Sequence, residues 1–159
     1  MSTRQALTRA VAATALAVLV ITGPGGAAHA STGATQVAGL LTPDTAGTCA
    51  EPSDFPVSVV SGSLVGCWYI DTGSYDHTSA AGGFVITGTE HFVGCLGTRC
   101  GQLFTTYKFT AKVTDGVEDH GRCHHPITGG SGDFAGVSGE INMHDLPNGC
   151  ATYKGDLKG

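Results

Sequence analysis

The chain has 159 residues with 13 acidic and 8 basic side chains, a formal charge of −5 with histidine neutral, and 7% aromatic residues. Affinity for phosphate backbones and anionic headgroups grows with lysine and arginine contacts, so this balance argues against nucleic acid and membrane surfaces as partners. The length suits one domain with a single core.

Arg4 and Arg9 precede an apolar run from Val11 to Ile21, followed by Gly23-Pro24-Gly25-Gly26 and Ala28-His29-Ala30. A basic start, a short apolar centre and a small-residue end read as a secretory signal peptide over residues 1–30. The run is too short to span a bilayer. The first cysteine is Cys49, well past the cleavage position, so no lipid-attachment cysteine is expected. A secreted protein beginning near Ser31 is predicted, with six basic residues against thirteen acids, a charge of −7.

Cys49, Cys67, Cys95, Cys100, Cys123 and Cys150 all follow the leader. An even count in a small exported chain predicts a disulfide framework of three bridges. Spacing does not determine connectivity. The expected pairs are Cys95 with Cys100, closing "CLGTRC", then Cys49 with Cys67 and Cys123 with Cys150. The paired C-x2-C hooks of a zinc ribbon are absent.

Residues 31–54, "STGATQVAGLLTPDTAGTCAEPSD", are small, polar and punctuated by proline. They are expected to form a flexible N-terminal arm tied down at Cys49, with the folded domain spanning residues 55–159. From Phe55 the hydrophobic period is two. In "GFVITGTEHFVGC", Phe84, Ile86, Gly88, Glu90 and Phe92 share one face of a long strand. In "LFTTYKFTAKV", Leu103, Thr105, Tyr107, Phe109, Ala111 and Val113 share a face, while Lys108 and Lys112 mark the opposite one as solvated. "ATYKGDLK" places Tyr153 and Leu157 inward and Lys154, Asp156 and Lys158 outward. "LVGCWYID", "VEDHGRC" and "GEINMHD" supply further strands between Gly, Asp and Asn turns. An all-β fold follows, a small disulfide-stapled antiparallel β-barrel, in which closure removes exposed edges.

The segment "CHHPITGGSGDFAGVSGE", Cys123 to Glu140, concentrates glycine. A phosphate loop needs its glycines between a strand and a helix N-terminus. Here a period-two segment follows and Asp133 repels phosphate, so the segment reads as a structural turn. Gly129, Gly130 and Gly132 are expected to supply positive φ, with Phe134 plugging the barrel end and Gly136 completing the motif.

The stretch "HPITGGSGDFAGVSGEI" resembles a recurring hairpin of the allene oxide cyclase and dirigent barrel superfamily. "GTEHFVGC", "TTYKFTAK" and "CATYKGDL" fit the same pattern as it looks in small exported bacterial members, and the likeness spans about Leu64 to Leu157. It implies a calycin-type barrel, cavity isomerisation or cyclisation as an activity, and association into oligomers.

Five candidate sites follow from the residues. His120, His124, His125 and His144 with Glu118 or Asp145 contain zinc or copper ligand types. They lack a spacing signature, and Arg122 opposes a cation, so no metal and no cofactor are expected. Ser131 and Ser138 fall outside a G-x-S-x-G elbow, so a serine nucleophile is not expected. Glu90 on an apolar face and inward Tyr107 form the candidate catalytic pair. Desolvation raises a buried carboxyl's pKa and the phenol can donate to it, which suits acid/base work or simple structural bonding. Trp68 is expected inside beside a bridge and Tyr69 at the wall or mouth, with Phe84, Phe92, Phe109 and Tyr153 completing a lining for a small apolar or aromatic molecule. A mouth of Tyr69, Tyr75 and His77 suits an aromatic or sugar-like ligand. The fifth candidate is Arg99, displayed on the "CLGTRC" loop to a protein partner. Three functions compete: a non-catalytic small-molecule-binding or structural extracellular module, a cavity isomerase or cyclase, and an extracellular inhibitor.

Overall fold

A computed structural model describes residues 33–77, 82–115 and 117–159. The leader expected over residues 1–30 lies outside them. Eight strands follow one another: β1 (Thr35–Pro43), β2 (Ser58–Gly62), β3 (Leu64–His77), β4 (Gly83–Leu96), β5 (Arg99–Thr114), β6 (Val117–Gly132), β7 (Ser138–Asp145) and β8 (Ala151–Lys158). Each pairs antiparallel with the next, and β8 pairs back to β1, closing the barrel. The all-β antiparallel barrel read from the sequence is the observed fold.

The period-two faces hold. Leu103, Thr105, Tyr107 and Ala111 of β5 are buried, as are Tyr153 and Leu157 of β8, while Lys108, Lys112, Lys154 and Lys158 are exposed. The stretch expected as a flexible arm differs. Thr35–Pro43 forms β1, pairs with both β2 and β8, and is the strand that closes the barrel. Val37 and Leu41 enter the core, and between them inward Gly39 leaves the room that the Tyr153 ring occupies. That glycine thins the apolar alternation of "VAGLL" and hides a strand. Residues 44–57, between β1 and β2, run irregularly over the outside of β3, where Cys49 is bonded to Cys67.

One end of the barrel is filled. Leu64, Phe92, Leu103 and Phe134 have no solvent exposure and pack with Val137, Tyr153 and Leu157. Each large apolar side chain so buried contributes about 1.5–3 kcal/mol. Phe134 plugs this end, with its ring centroid 6.3 Å from that of Phe92. The turn that delivers it spans residues 133–136, where Gly132 (φ 62) and Gly136 (φ 79) take left-handed conformations. Gly129 and Gly130 do not. They continue β6 opposite Phe104 and Leu103, and Gly130 is small because a side chain there would strike the Phe134 carbonyl.

Two disulfides form, Cys49–Cys67 and Cys95–Cys100. The third expected bridge does not, and Cys123 and Cys150 are free. Cys123 sits on β6 opposite Met143 of β7, and Cys150 precedes β8 on the far side of that strand. Two strand spacings, about 10 Å, exceed the Cα separation that a disulfide tolerates.

Candidate functional site

Opposite the plugged end the barrel is hollow. A cavity of about 490 Å³ opens between residues 146–150, the β7–β8 connection, and Pro56. Leu41, Ile70 and Met143 form its apolar wall, and Trp68, Glu90 and His125 its polar floor. Strand parity puts the floor together. Trp68 and Ile70 share the inner face of β3, Ile70 stands opposite Glu90 of β4, and His125 projects inward from β6 opposite Ile141.

The floor is one bonded unit. The Trp68 indole donates from Nε1 to Glu90 Oε2 at 2.7 Å, and His125 Nε2 lies 2.9 Å from the same oxygen. His125 Nδ1 is 3.2 Å from the Ile141 carbonyl oxygen. A carbonyl only accepts, so Nδ1 carries a proton, and the Nε2–Oε2 contact holds one further proton shared by imidazole and carboxyl. The His125 ring also stands edge-on to Trp68, centroids 5.4 Å apart. Glu90 and His125 are 6% and 1% exposed, so each is a buried ionisable group that depends on the other.

The sequence pairs Glu90 with Tyr107, whereas the structure bonds Glu90 to His125 and Trp68. Tyr107 is buried beside this unit, its ring centroid 6.2 Å from that of His125, with its hydroxyl over Gly73. Burial, then the Glu90 charge, raises the phenol's pKa, which keeps it neutral. The signal for His125 was its inward parity: Gly121, Cys123 and His125 alternate inward while Arg122 and His124 are exposed. The adjacent histidine and Pro126 masked it.

At the rim, Glu118 and Asp145 hydrogen-bond to each other, and both carboxyls are raised above their usual range, chiefly by burial. Gly121 lies beneath them, where any side chain would strike both. Cys123, half-buried on the cavity wall, has its thiol pushed far up by burial. Three of the histidines weighed as metal ligands diverge: His125 is interior, His124 is exposed and bonded to Glu140, and His144 bonds the Gly121 carbonyl, while the His120 side chain lies outside the described residues. No three metal-ligating side chains converge among the described residues.

Of the expected lining, Trp68 alone faces the cavity. Phe92 and Tyr153 belong to the filled half, where the Tyr153 hydroxyl accepts from the Leu64 amide at 2.8 Å. Phe84 and Phe109 pack on each other, centroids 5.8 Å apart, and Tyr75 packs on Phe84 at 5.7 Å. Tyr69 faces outward yet is buried, because residues 44–57 cross over it. It stacks on His91 and its hydroxyl accepts from the Glu51 amide. His91 is clasped between Glu51 and Asp71, at 2.9 and 2.7 Å. With the Cys49–Cys67 bond, these contacts fasten that segment to the wall. The His77 side chain lies outside the described residues.

Arg99 is not displayed. Its guanidinium donates to the Asp133 carbonyl at 2.8 Å and lies over the Phe134 ring, 5.8 Å from its centroid. It clamps the plugged end, leaving Gly97 and Thr98 as the exposed tip of "CLGTRC".

No family model matches the sequence, and no curated protein matches it. The chain is similar to the crystal structure of a protein of unknown function from the DUF3224 family of Shewanella oneidensis MR-1. That likeness has a TM-score of 0.48 and 22% identity, and covers 79% of this chain and 96% of the other.

Proposed function

We propose that this protein is a secreted binding module that takes a small, largely apolar or aromatic molecule into the open end of its barrel. The observation that carries the reading is the cavity of about 490 Å³ ending on the Trp68–Glu90–His125 floor. Ligand sites are concave and combine apolar walls with a few fixed polar groups, and this cavity sets Leu41, Ile70 and Met143 beside the bonded Trp68–Glu90–His125 floor. A purely structural barrel has no reason to leave one half hollow while packing the other with Phe92, Leu103 and Phe134. The two disulfides suit an oxidising compartment, in keeping with the leader read over residues 1–30. Among the described residues no helix is long and apolar enough to cross a membrane.

Native mass spectrometry of the protein recovered from its host's culture medium tests this reading. Binding requires an extra mass that leaves on denaturation and is missing from a Met143→Trp variant, whose indole fills the cavity. Wild-type and variant samples that both carry no extra mass oppose it.

A second reading, a cavity isomerase or cyclase, is favoured by the proton shared between Glu90 and His125. A proton held at the floor of such a cavity can be lent to a substrate oxygen or carbon and recovered without a cofactor. Recovery of a co-purified molecule as a pair of isomers by wild type, and as a single isomer by Glu90→Gln, separates catalysis from binding.

A further inference from the structure

Five of the six basic residues beyond residue 30 lie on one side of the barrel: Lys108 and Lys112 on β5, Arg122 on β6, Lys154 and Lys158 on β8. In a chain of net negative charge this is a concentrated exception. The register aligns them. Lys108 pairs with His124, His124 with Asn142, and Asn142 with Lys154, a continuous row across four strands. The next outward row is Thr110, Arg122, His144 and Thr152. Together the two rows line a groove on the outer wall, over the stretch of β6–β8 that carries Cys123, Met143 and Tyr153 between them. All but Asn142 are exposed, and none of Lys108, Arg122 and Lys154 forms an ion pair with a described residue. Glu140 borders the groove, accepting from His124 Nε2 at 2.8 Å and from the Asn142 amide at 3.0 Å, which fixes both side chains.

We infer that this groove binds a short acidic oligosaccharide. Lys108 and Lys154 stand three strand spacings apart, about 14 Å along the wall, with Arg122 in the adjoining row. One compact anion cannot meet cations so placed, whereas an extended chain with repeated carboxylates or sulfates does. The hydroxyls of Thr110 and Thr152 and the Asn142 amide lie between the cations and match the hydroxyls of a sugar ring. Neither row contains a Trp, Tyr or Phe side chain, and the two imidazoles present are tied to Glu140 and to the Gly121 carbonyl, so the groove lacks the large free platforms on which successive nucleobases stack. The acid elsewhere on the surface repels a long polyanion and favours a short segment.

The test is an amide NMR titration of the refolded, disulfide-bonded domain with trigalacturonate, with maltotriose and inorganic tripolyphosphate as comparison probes. Saturable shifts confined to β5–β8 around Lys108, Arg122, Asn142 and Lys154 are expected with trigalacturonate and not with maltotriose. A Lys108→Glu/Lys154→Glu variant removes two cationic contacts and should weaken binding by ~tenfold or more, with its unfolding midpoint and Trp68 emission unchanged. Lys112→Glu, outside the two rows, should weaken it far less. The inference is overturned by no shifts at the groove, by equal response to maltotriose, or by trigalacturonate affinity that survives the double reversal. Tripolyphosphate binding at least as tight as trigalacturonate also overturns it, because the groove is then a general anion sink.

Discussion

Replacing Glu90 with glutamine changes the chemistry of the cavity floor and almost none of its volume. In the native barrel one oxygen, Oε2, serves both the Trp68 indole at 2.7 Å and His125 Nε2 at 2.9 Å. An amide cannot do both. With its oxygen in that position it accepts the indole N–H, but Nε2 faces it without a proton, since the imidazole proton is held by the Ile141 carbonyl. With its nitrogen there, two N–H donors oppose each other at Trp68. Moving the imidazole proton to Nε2 satisfies the amide and leaves the Ile141 carbonyl facing a lone pair. Each arrangement strands one buried polar group, which costs about 1–3 kcal/mol. A loss of about 2 kcal/mol lowers the thermal midpoint of a domain this size by roughly 6–10 °C. Thermal unfolding followed by near-ultraviolet circular dichroism reads the change, with disulfides intact in both proteins. A midpoint within about 1 °C of wild type would refute the reasoning, because Glu90 would then not be bonded to both neighbours.

Iodoacetamide applied to denatured, unreduced protein should add two groups per chain, at Cys123 and Cys150; none would mean that a third bridge exists. Tyr153→Phe removes the acceptor of the buried Leu64 amide and should destabilise by about 1–3 kcal/mol, checked by urea unfolding. Folding holds protons on Glu118 and Asp145 that the unfolded chain releases in the ordinary carboxylate range. Stability from this pair is therefore present below that range and is lost as pH rises through the raised folded range. Asp145→Asn should flatten the slope in a pH series of unfolding midpoints; an unchanged slope in the variant argues against the coupling.

The barrel was legible because long strands carry strict alternation. Lys108 and Lys112 set the face of β5, Lys154 and Lys158 that of β8, and the inward faces followed. β1 was missed because Gly39 stands where an apolar residue would complete the pattern, and its role depends on Tyr153, more than a hundred residues away. The Cys123–Cys150 pairing failed on strand order, which cysteine count does not report. The site was half legible: parity located Glu90 and Trp68, but His125 is joined to them only by barrel closure. A carboxylate on β4 and an imidazole on β6 meet across the interior, a distance that no local spacing encodes. Tyr107 lies on the strand between them and was the nearer choice by sequence logic.

The chain has a single tryptophan, Trp68, and it forms part of the cavity floor. Its emission therefore reports occupancy of that cavity. The decisive measurement compares Trp68 fluorescence of protein recovered from culture medium with the same protein unfolded with its disulfides intact, freed of small molecules and refolded, before and after the removed extract is returned. Ligand binding in the barrel requires a shifted emission in the stripped protein, saturable recovery with the extract, and no recovery in Met143→Trp after correction for its second indole. Identical spectra throughout, with native secondary structure regained, would contradict the account and leave the open half of the barrel a structural feature only.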